Sequence, residues 1–403
     1  MAHREAATGP TAPPLDPKYL EQISKGLDRA FKHADEETAD IDGLRLAIFS
    51  DHHKGAQNKA DDFRRCEFAY AAALGYYLES GYRLCVLGDA EELWEESPAS
   101  VIGGYEDILG LERRFRETGR YERFWGNHDD LWTRSGKLRK LNAILSQGPM
   151  REALKIRVRR PGGSDCTLFL VHGHQGTTES DKWGWLSKPV VRLIWRPVQR
   201  LTGWSATTPA SDHRLRGMHD RAMHEWARRR GPGLVLIAGH THRPVFARSM
   251  PDPPPARSVE ELEKLYGNAA RDGDGTAVAA LRAELEYSRT LVRRPDPVAT
   301  ASLPCYFNTG CCSFPDGDVT GLEIADGELR LVRWPVNLDE LRAKDGDAPA
   351  AAGAIDPQRR ILATQPLGEL LNAVSSPRPG AEDLVEHVIL PAATQPAATG
   401  EER

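Results

Sequence analysis

The chain has 403 residues, 40% of them hydrophobic, enough to bury one large core and to carry insertions beyond it. A net charge of −5 is too small to point to a partner, and the six cysteines (66, 85, 166, 305, 311, 312) show no C-x-x-C spacing. The opening MAHREAATGPTAPP lacks the apolar stretch of a signal peptide and no apolar run reaches ~18 residues, so secretion and membrane spanning are disfavoured and a cytoplasmic protein with reduced thiols is expected.

In chain order, residues 1–40 read as an Ala/Pro/Thr-rich disordered segment (1–15) followed by a charged amphipathic helix over 17–39. Five short apolar runs come next, each opening into a polar motif. Run 44–49 leads into FSDHHKG with Asp51 and His53, run 84–87 into GDAEELW with Asp89, and run 121–125 into GNHDD with Asn127 and His128. Run 167–171 leads into VHGHQG with His172 and His174, and run 234–238 into AGHTHRP with His240, His242 and Arg243. Apolar, partly β-branched runs that end at Gly or Ser read as buried strands opening into loops. With helical patterns between several of them, the class is α/β around a partly parallel sheet. Loops at the carboxyl ends of such strands converge on one crevice, so residues as distant in sequence as Asp51 and His242 can meet.

Past the last motif, the proline-rich stretch 251–255 opens a helical insertion over 250–300, with a capping box from Ser258 to Glu261. The core resumes at 304–310. Val319–Ala325 and Glu328–Trp334, joined through Asp326 and Gly327, read as a closing β-hairpin. Residues 344–403 form an Ala/Pro-rich tail, with one helix near 357–374 in an otherwise solvated or loosely docked appendage.

The polar residues in the motifs are of the types that hold transition metals. Carboxylate, imidazole and amide oxygen suit Mn²⁺, Fe, Zn²⁺ or Ni²⁺, whereas an all-oxygen set would indicate Mg²⁺ or Ca²⁺ and a thiolate set structural zinc. Seven of the thirteen histidines (52, 53, 128, 172, 174, 240, 242) fall in four of the five motifs. Two ions ~3.5–4 Å apart lower the pKa of a bound water and clamp the attacking and leaving oxygens of an in-line displacement. A bridging carboxylate holds such ions together, and Asp89 is the candidate. The expected cofactors are two divalent metal ions, with Mn²⁺ first.

The order D-x-H, G-D, G-N-H-D, H, G-H-x-H resembles the calcineurin-like metallophosphoesterase superfamily over roughly residues 43–335. That resemblance implies a layered αββα sandwich with helical cap insertions, placed at 41–343 with a basic, Trp-rich cap insertion over 178–232. It implies a dinuclear hydrolase that cleaves a phosphoester or pyrophosphate bond by attack of a metal-bound hydroxide. Asp51, His53 and His242 would hold one ion and Asn127, His172 and His240 the other, bridged by Asp89. His128 would protonate the leaving oxygen or stabilise the charged transition state. Glu92, three residues after Asp89, stands where it can hydrogen-bond His128 and favour the imidazolium, while His174 and Arg243 are candidates for substrate contact. GDAEELW and GHTHRP are also similar to the UDP-2,3-diacylglucosamine pyrophosphatase branch. His128 stands where that branch carries Arg, and His174 where it carries the Asp of H-G-D, so the branch's lipid substrate does not transfer directly.

Between Lys182 and Arg230 there are eleven basic and three acidic residues, and Trp183, Trp185, Trp195 and Trp204 interleave with Lys188, Arg192, Arg196 and Arg200. Trp bodies beside basic heads suit a bilayer interface, a cap over a phosphorylated and greasy substrate, or a nucleic-acid backbone. A helical cap that packs its apolar face on the core and leaves its charges solvated accounts for the same residues. The expected partner is a phosphorylated small-molecule or lipid-linked substrate, with peripheral membrane contact through 183–204 and nucleic acid as a lesser alternative. A nuclease or nucleotide phosphodiesterase on the same scaffold, and an inactive binding scaffold, are the competing functions. The second of these expects a lost ligand, and every expected position is filled.

Overall fold

The computed structural model describes residues 16–146, 150–177, 213–246, 304–314, 317–335 and 359–375, together with the isolated positions 266 and 271. The described strands form two six-stranded mixed sheets. The first runs in the order β1 (Asp35–Asp40), β5 (Ala153–Arg159), β6 (Cys166–Val171), β7 (Leu234–Ala238), β9 (Tyr306–Thr309), β8 (Pro244–Phe246). The second runs in the order β12 (Arg360–Pro366), β11 (Glu328–Trp334), β10 (Val319–Ala325), β2 (Leu46–Phe49), β3 (Arg83–Leu87), β4 (Tyr121–Phe124).

Strands β2, β3 and β4 are parallel to one another, as are β6, β7 and β9. Parallel strands require cover on both faces, and β2 shows how the chain supplies it. Leu46 and Ile48 belong to a core shared with the first sheet, whereas Ala47 and Phe49 belong to a second core under α2 (Glu67–Glu79) and α4 (Glu106–Glu117). On the first sheet lie α1 (Pro17–His33) and α6 (His213–Arg230), tied to each other where Trp226 Nε1 donates to Asp28 at 2.9 Å. The architecture is an α/β sandwich. A smaller core around the buried Trp132 joins α3 (Pro98–Gly104) and α5 (Ser135–Leu145) to its side. No described helix is long and apolar enough to cross a membrane.

The N-terminal helix ends at His33 rather than continuing to residue 39, because Asp35–Asp40 pairs in parallel with β5. The sequence DEETAD has no apolar stripe to bury as a helix. Its carboxylates instead meet the basic side chains of β5, Glu36 with Lys155 (3.1 Å) and Arg157 (2.6 Å), and Asp40 with Arg159 (3.0 Å). Each exposed pair contributes little, but the acid-against-base match between neighbouring strands favours the register and keeps a sheet edge charged.

The tail is likewise more than an appendage. Residues 360–366 are the strand β12, antiparallel to β11, and the helix is confined to α7 (Leu367–Ser375). Leu367, Leu370, Leu371 and Val374 are fully buried and close the seam between the two sheets. The predicted hairpin is present as β10 and β11, turned by Asp326 (φ 54°) and Gly327 (φ 74°) in the left-handed region. Of the basic segment, α6 buries Ala222, Met223, Trp226 and Ala227 against the core. Trp183, Trp185, Trp195 and Trp204 lie outside the described residues, as does the insertion 250–300 apart from two positions.

Candidate metal centre

The loops that leave β2, β3, β4, β6 and β7 meet. Asp51 N–H donates to Gly88 O (3.1 Å) and His53 N–H to Asp89 O (2.9 Å), so the first two motifs are laced together through backbone. Five of the eight described non-glycine residues with positive φ are Asp51, His53, Asp89, His240 and His242, between 50° and 70°. A left-handed residue costs ~1–2 kcal/mol, and such strain collects where a side chain must be aimed. Glycines allow the close approach. A Cβ on Gly126 would lie 2.1 Å from Asp89 Oδ1, and one on Gly88 would lie 2.6 Å from the His172 ring.

Three groups of donor atoms result, each within 4.8 Å: Asp51, His53 and His242; Asp89, His172 and His240; and His53, Asp89 and His128. Asp89 belongs to two of them. Its Oδ1 accepts from His128 N–H at 2.8 Å, while Oδ2 lies 3.1 Å from His172 Nε2 and 3.9 Å from His53 Nε2. Asp51 is held similarly: Oδ2 accepts from Ser50 Oγ and from His240 N–H, leaving Oδ1 3.3 Å from His242 Nε2. The His53 and His242 Nε2 atoms face each other at 3.0 Å. That spacing is about the edge of a coordination polyhedron with metal–nitrogen bonds of ~2.1 Å.

Whether these residues fit a metal can be tested on their spare valences. Asp51 Oδ1, Asn127 Oδ1 and His172 Nε2 are all buried without a hydrogen-bond partner. Buried polar atoms are ordinarily paired, so each unpaired one calls for an explanation, and a bound cation would supply it here. In the neutral ring His172 Nδ1 must donate to Leu87 O at 2.8 Å, so that Nε2 has a lone pair to offer a cation in place of a proton. Burial opposes charge on His172, yet Asp89 and Asp51 outweigh it and raise its pKa to about 9. The potential that draws a proton to that point would equally draw a cation. The cluster can therefore hold metal.

Around these donors lie residues that aim them. His128 stacks on Trp94 with ring centroids 4.1 Å apart, and its Nδ1 is 2.7 Å from Glu92 Oε2. The same Glu92 oxygen lies 3.2 Å from His53 Nδ1. Burial disfavours the His128 imidazolium, but Glu92 and Asp89 prevail and carry its pKa to about 9. Burial also disfavours the Glu92 carboxylate, but His128 and His53 bring it down to about 2. Asp129 receives N–H bonds from Ala90 (2.8 Å) and Gly126 (2.6 Å), pinning the second and third motifs together. Beneath them is a fully buried network. Lys54 Nζ (2.8 Å), Arg123 Nη1 (2.7 Å) and Tyr121 OH (2.6 Å) donate to Glu112, and Arg123 and Trp132 donate to Glu91.

Other sequence candidates are placed differently. His52 turns away from the centre, with its ring buried 4.4 Å from that of Tyr70 and both nitrogens unpaired. His174 is buried against Trp125, 5.4 Å from the His172 ring; burial and the neighbouring His172 lower its pKa to about 3. That position backs His172 rather than offering an open face to substrate. Arg243 borders the site, its Nε 3.4 Å from Asp220 Oδ2.

His219, on α6, had no motif to announce it. Its Nε2 donates to Gly173 O (2.7 Å), its Nδ1 faces Tyr19 OH (2.8 Å), and its ring lies 5.1 Å from that of His240. Only its place on the helix facing the fifth motif reveals it. No protein-family model and no curated protein matches this chain.

Proposed function

We propose that this chain is a dinuclear metal-dependent hydrolase of phosphoester or pyrophosphate bonds, on the layered αββα plan of the calcineurin-like metallophosphoesterases. The observation that carries the reading is that Asp89 belongs to two donor groups at once, one with His172 and His240 and one with His53 and His128, beside a third group of Asp51, His53 and His242. Asp51, His53 and His242 would hold one ion, Asn127, His172 and His240 the other, and Asp89 both. Mn²⁺ is the first choice, with Fe, Zn²⁺ and Ni²⁺ suited by the same donors. When bound, such a pair supplies Lewis acidity and an activated water.

The chain's own residues do the rest. His128, held at Nδ1 by Glu92 and stacked on Trp94, presents its other nitrogen to the leaving oxygen and gives it a proton. Glu92 keeps that imidazole charged until transfer. The partner is then a phosphorylated small molecule or lipid-linked phosphate.

The test is to load the full chain with Mn²⁺, measure metal by elemental analysis, and assay phosphomonoesters, bis-p-nitrophenyl phosphate and nucleotide-sugar and lipid-linked pyrophosphates. Two ions per chain and a turnover that chelation abolishes are expected. Absence of metal uptake, or of hydrolysis across the whole panel, would end the proposal.

A further inference from the structure

Helix α1 precedes all five motifs, yet it is built against the metal centre. Tyr19 OH lies 2.8 Å from His219 Nδ1, and on the other side of that ring Nε2 donates to Gly173 O at 2.7 Å. Gly173 directly follows His172. The His219 ring also stands edge-on to that of His240, with centroids 5.1 Å apart and an interplanar angle of 68°. One buried side chain of α6 thus spans the fourth and fifth motifs, and α1 holds its far nitrogen.

The same face of α1 meets the fourth motif a second time, since Tyr19, Gln22 and Gly26 follow at helical spacing. A Cβ on Gly26 would lie 2.4 Å from Gly176 N, and one on Gly176 would lie 2.3 Å from Gln22 O, so helix and loop touch backbone on backbone. Gly173 (φ 110°) and Gly176 (φ 82°) both have positive φ. Glycine enters and leaves such conformations freely, so contacts from outside fix the loop that begins at His172.

Gly173 O can only accept, so His219 Nε2 carries a proton, and in the neutral ring Nδ1 then accepts from Tyr19 OH. Burial prevails over the bond to Gly173 O and lowers the His219 pKa to about 4, which keeps the ring neutral. Removing the phenol oxygen would leave a buried acceptor unpaired in the tautomer that holds Gly173.

Resting on the two-ion reading of the site, we infer that Tyr19 and His219 brace the ion held by Asn127, His172 and His240 with Asp89. Both are positioning residues. His219 belongs to none of the three donor groups and acts through Gly173 and the His240 ring. The other ion's donors have different supports, with His53 held by the Asp89 backbone and Glu92, and Asp51 by Ser50. The brace therefore weighs on one ion far more than on the other, and it makes the N-terminal helix part of the metal site.

The experiment titrates Mn²⁺ into the metal-free full chain by calorimetry in two backgrounds. His242→Ala leaves the His172 and His240 side for a single ion, and His240→Ala leaves the Asp51 and His53 side. His219→Leu should weaken Mn²⁺ binding about 10–100-fold in the first background, the range for residues that orient a ligand, and less than about threefold in the second. Tyr19→Phe, which keeps the ring and removes one oxygen, should act in the same direction by about 3–10-fold. Hydrogen exchange gives a readout without metal: amides of 172–177 should exchange faster in both single variants of the metal-free chain, while those of 50–54 keep their wild-type rates. Equal weakening in the two backgrounds, no weakening by either variant, or unchanged exchange over 172–177 would overturn the brace. Faster exchange over 172–177 in the variants of a chain whose wild type takes up no Mn²⁺ would overturn the two-ion reading and leave the coupling of α1 to that loop standing.

Discussion

Replacing Glu112 by Gln tests whether the buried network beneath the metal loops supports them. Glu112 is fully buried and its two oxygens receive Lys54 Nζ, Arg123 Nη1 and Tyr121 OH. Gln keeps the volume, but removes the charge and turns an NH₂ toward at least one of these donors. Lys54 and Arg123, both fully buried, then share the single carboxylate of Glu91. Breaking one partner out of a buried ion network costs about 3–5 kcal/mol, against a total stability of about 5–15 kcal/mol. An exposed pair such as Arg157 with Glu36 is worth under about 1 kcal/mol and serves as the control.

The effect should reach the site, because Lys54 N–H donates to Ala90 O (3.0 Å) and Glu92 N–H to Lys54 O (3.0 Å), on either side of the loop carrying Asp89. Urea unfolding should therefore show a loss of about 3–5 kcal/mol for Glu112→Gln, and elemental analysis should show reduced metal. A loss below about 1 kcal/mol, similar to that of Glu36→Gln, would refute the account of this network. The double variant Lys54→Met/Glu112→Leu, which removes one charge of each sign, should recover much of the loss.

Asp89→Asn should lower metal content and abolish turnover, since two cations would lose the carboxylate between them; two ions per chain with near-normal activity would reject the bridge. His128→Ala should keep both metals and lose ~10²–10⁴-fold in rate, with a smaller deficit for a good leaving group such as p-nitrophenolate. An equal deficit for good and poor leaving groups would favour electrostatic stabilisation over proton transfer. Burial opposes ionisation of Glu91, Glu92 and Glu112, but Arg123, His128 and Lys54 respectively lead in holding their pKa values below the usual carboxylate range, Glu92 at about 2. Folded pKa values that are depressed give stability that is present above ~4.5 and lost as pH falls through the folded values. The urea midpoint should thus decline between about pH 4.5 and 2, and a flat profile over that window would contradict the assignment.

The clustering of Asp51, His53, Asp89, His128, His172, His240 and His242 was legible because coordination needs particular side chains, and strand-to-loop junctions deliver them to one place. Asp326-Gly327 marked its hairpin for a similar reason, as few dipeptides adopt two left-handed residues. Strand β1 was not legible, since DEETAD carries no periodicity of its own and is ordered by the basic residues of β5. Strand β12 hid in Ala/Pro-rich surroundings, so the helix expected near 357–374 begins only at Leu367, where its four buried apolar positions start. His52 lies between Asp51 and His53 yet points into the aromatic core of Phe63 and Tyr70. Lys54, Glu91, Glu112 and Arg123 are scattered in sequence, and only the packing of β3, β4 and α4 assembles them.

The second sheet has a consequence for the growing chain. β2 pairs with β3 soon after both are made, but its other neighbour is β10, with Ile48 opposite Leu322. At ~5–20 residues per second, a ribosome needs roughly 15–55 s to travel from one to the other. Throughout that interval the hydrogen-bonding edge of Leu46–Phe49, all apolar, is a template for any strand that drifts past. The sheet at the heart of the molecule is therefore completed late in translation, and in a cell its open edge is the part of the nascent chain most in need of a chaperone.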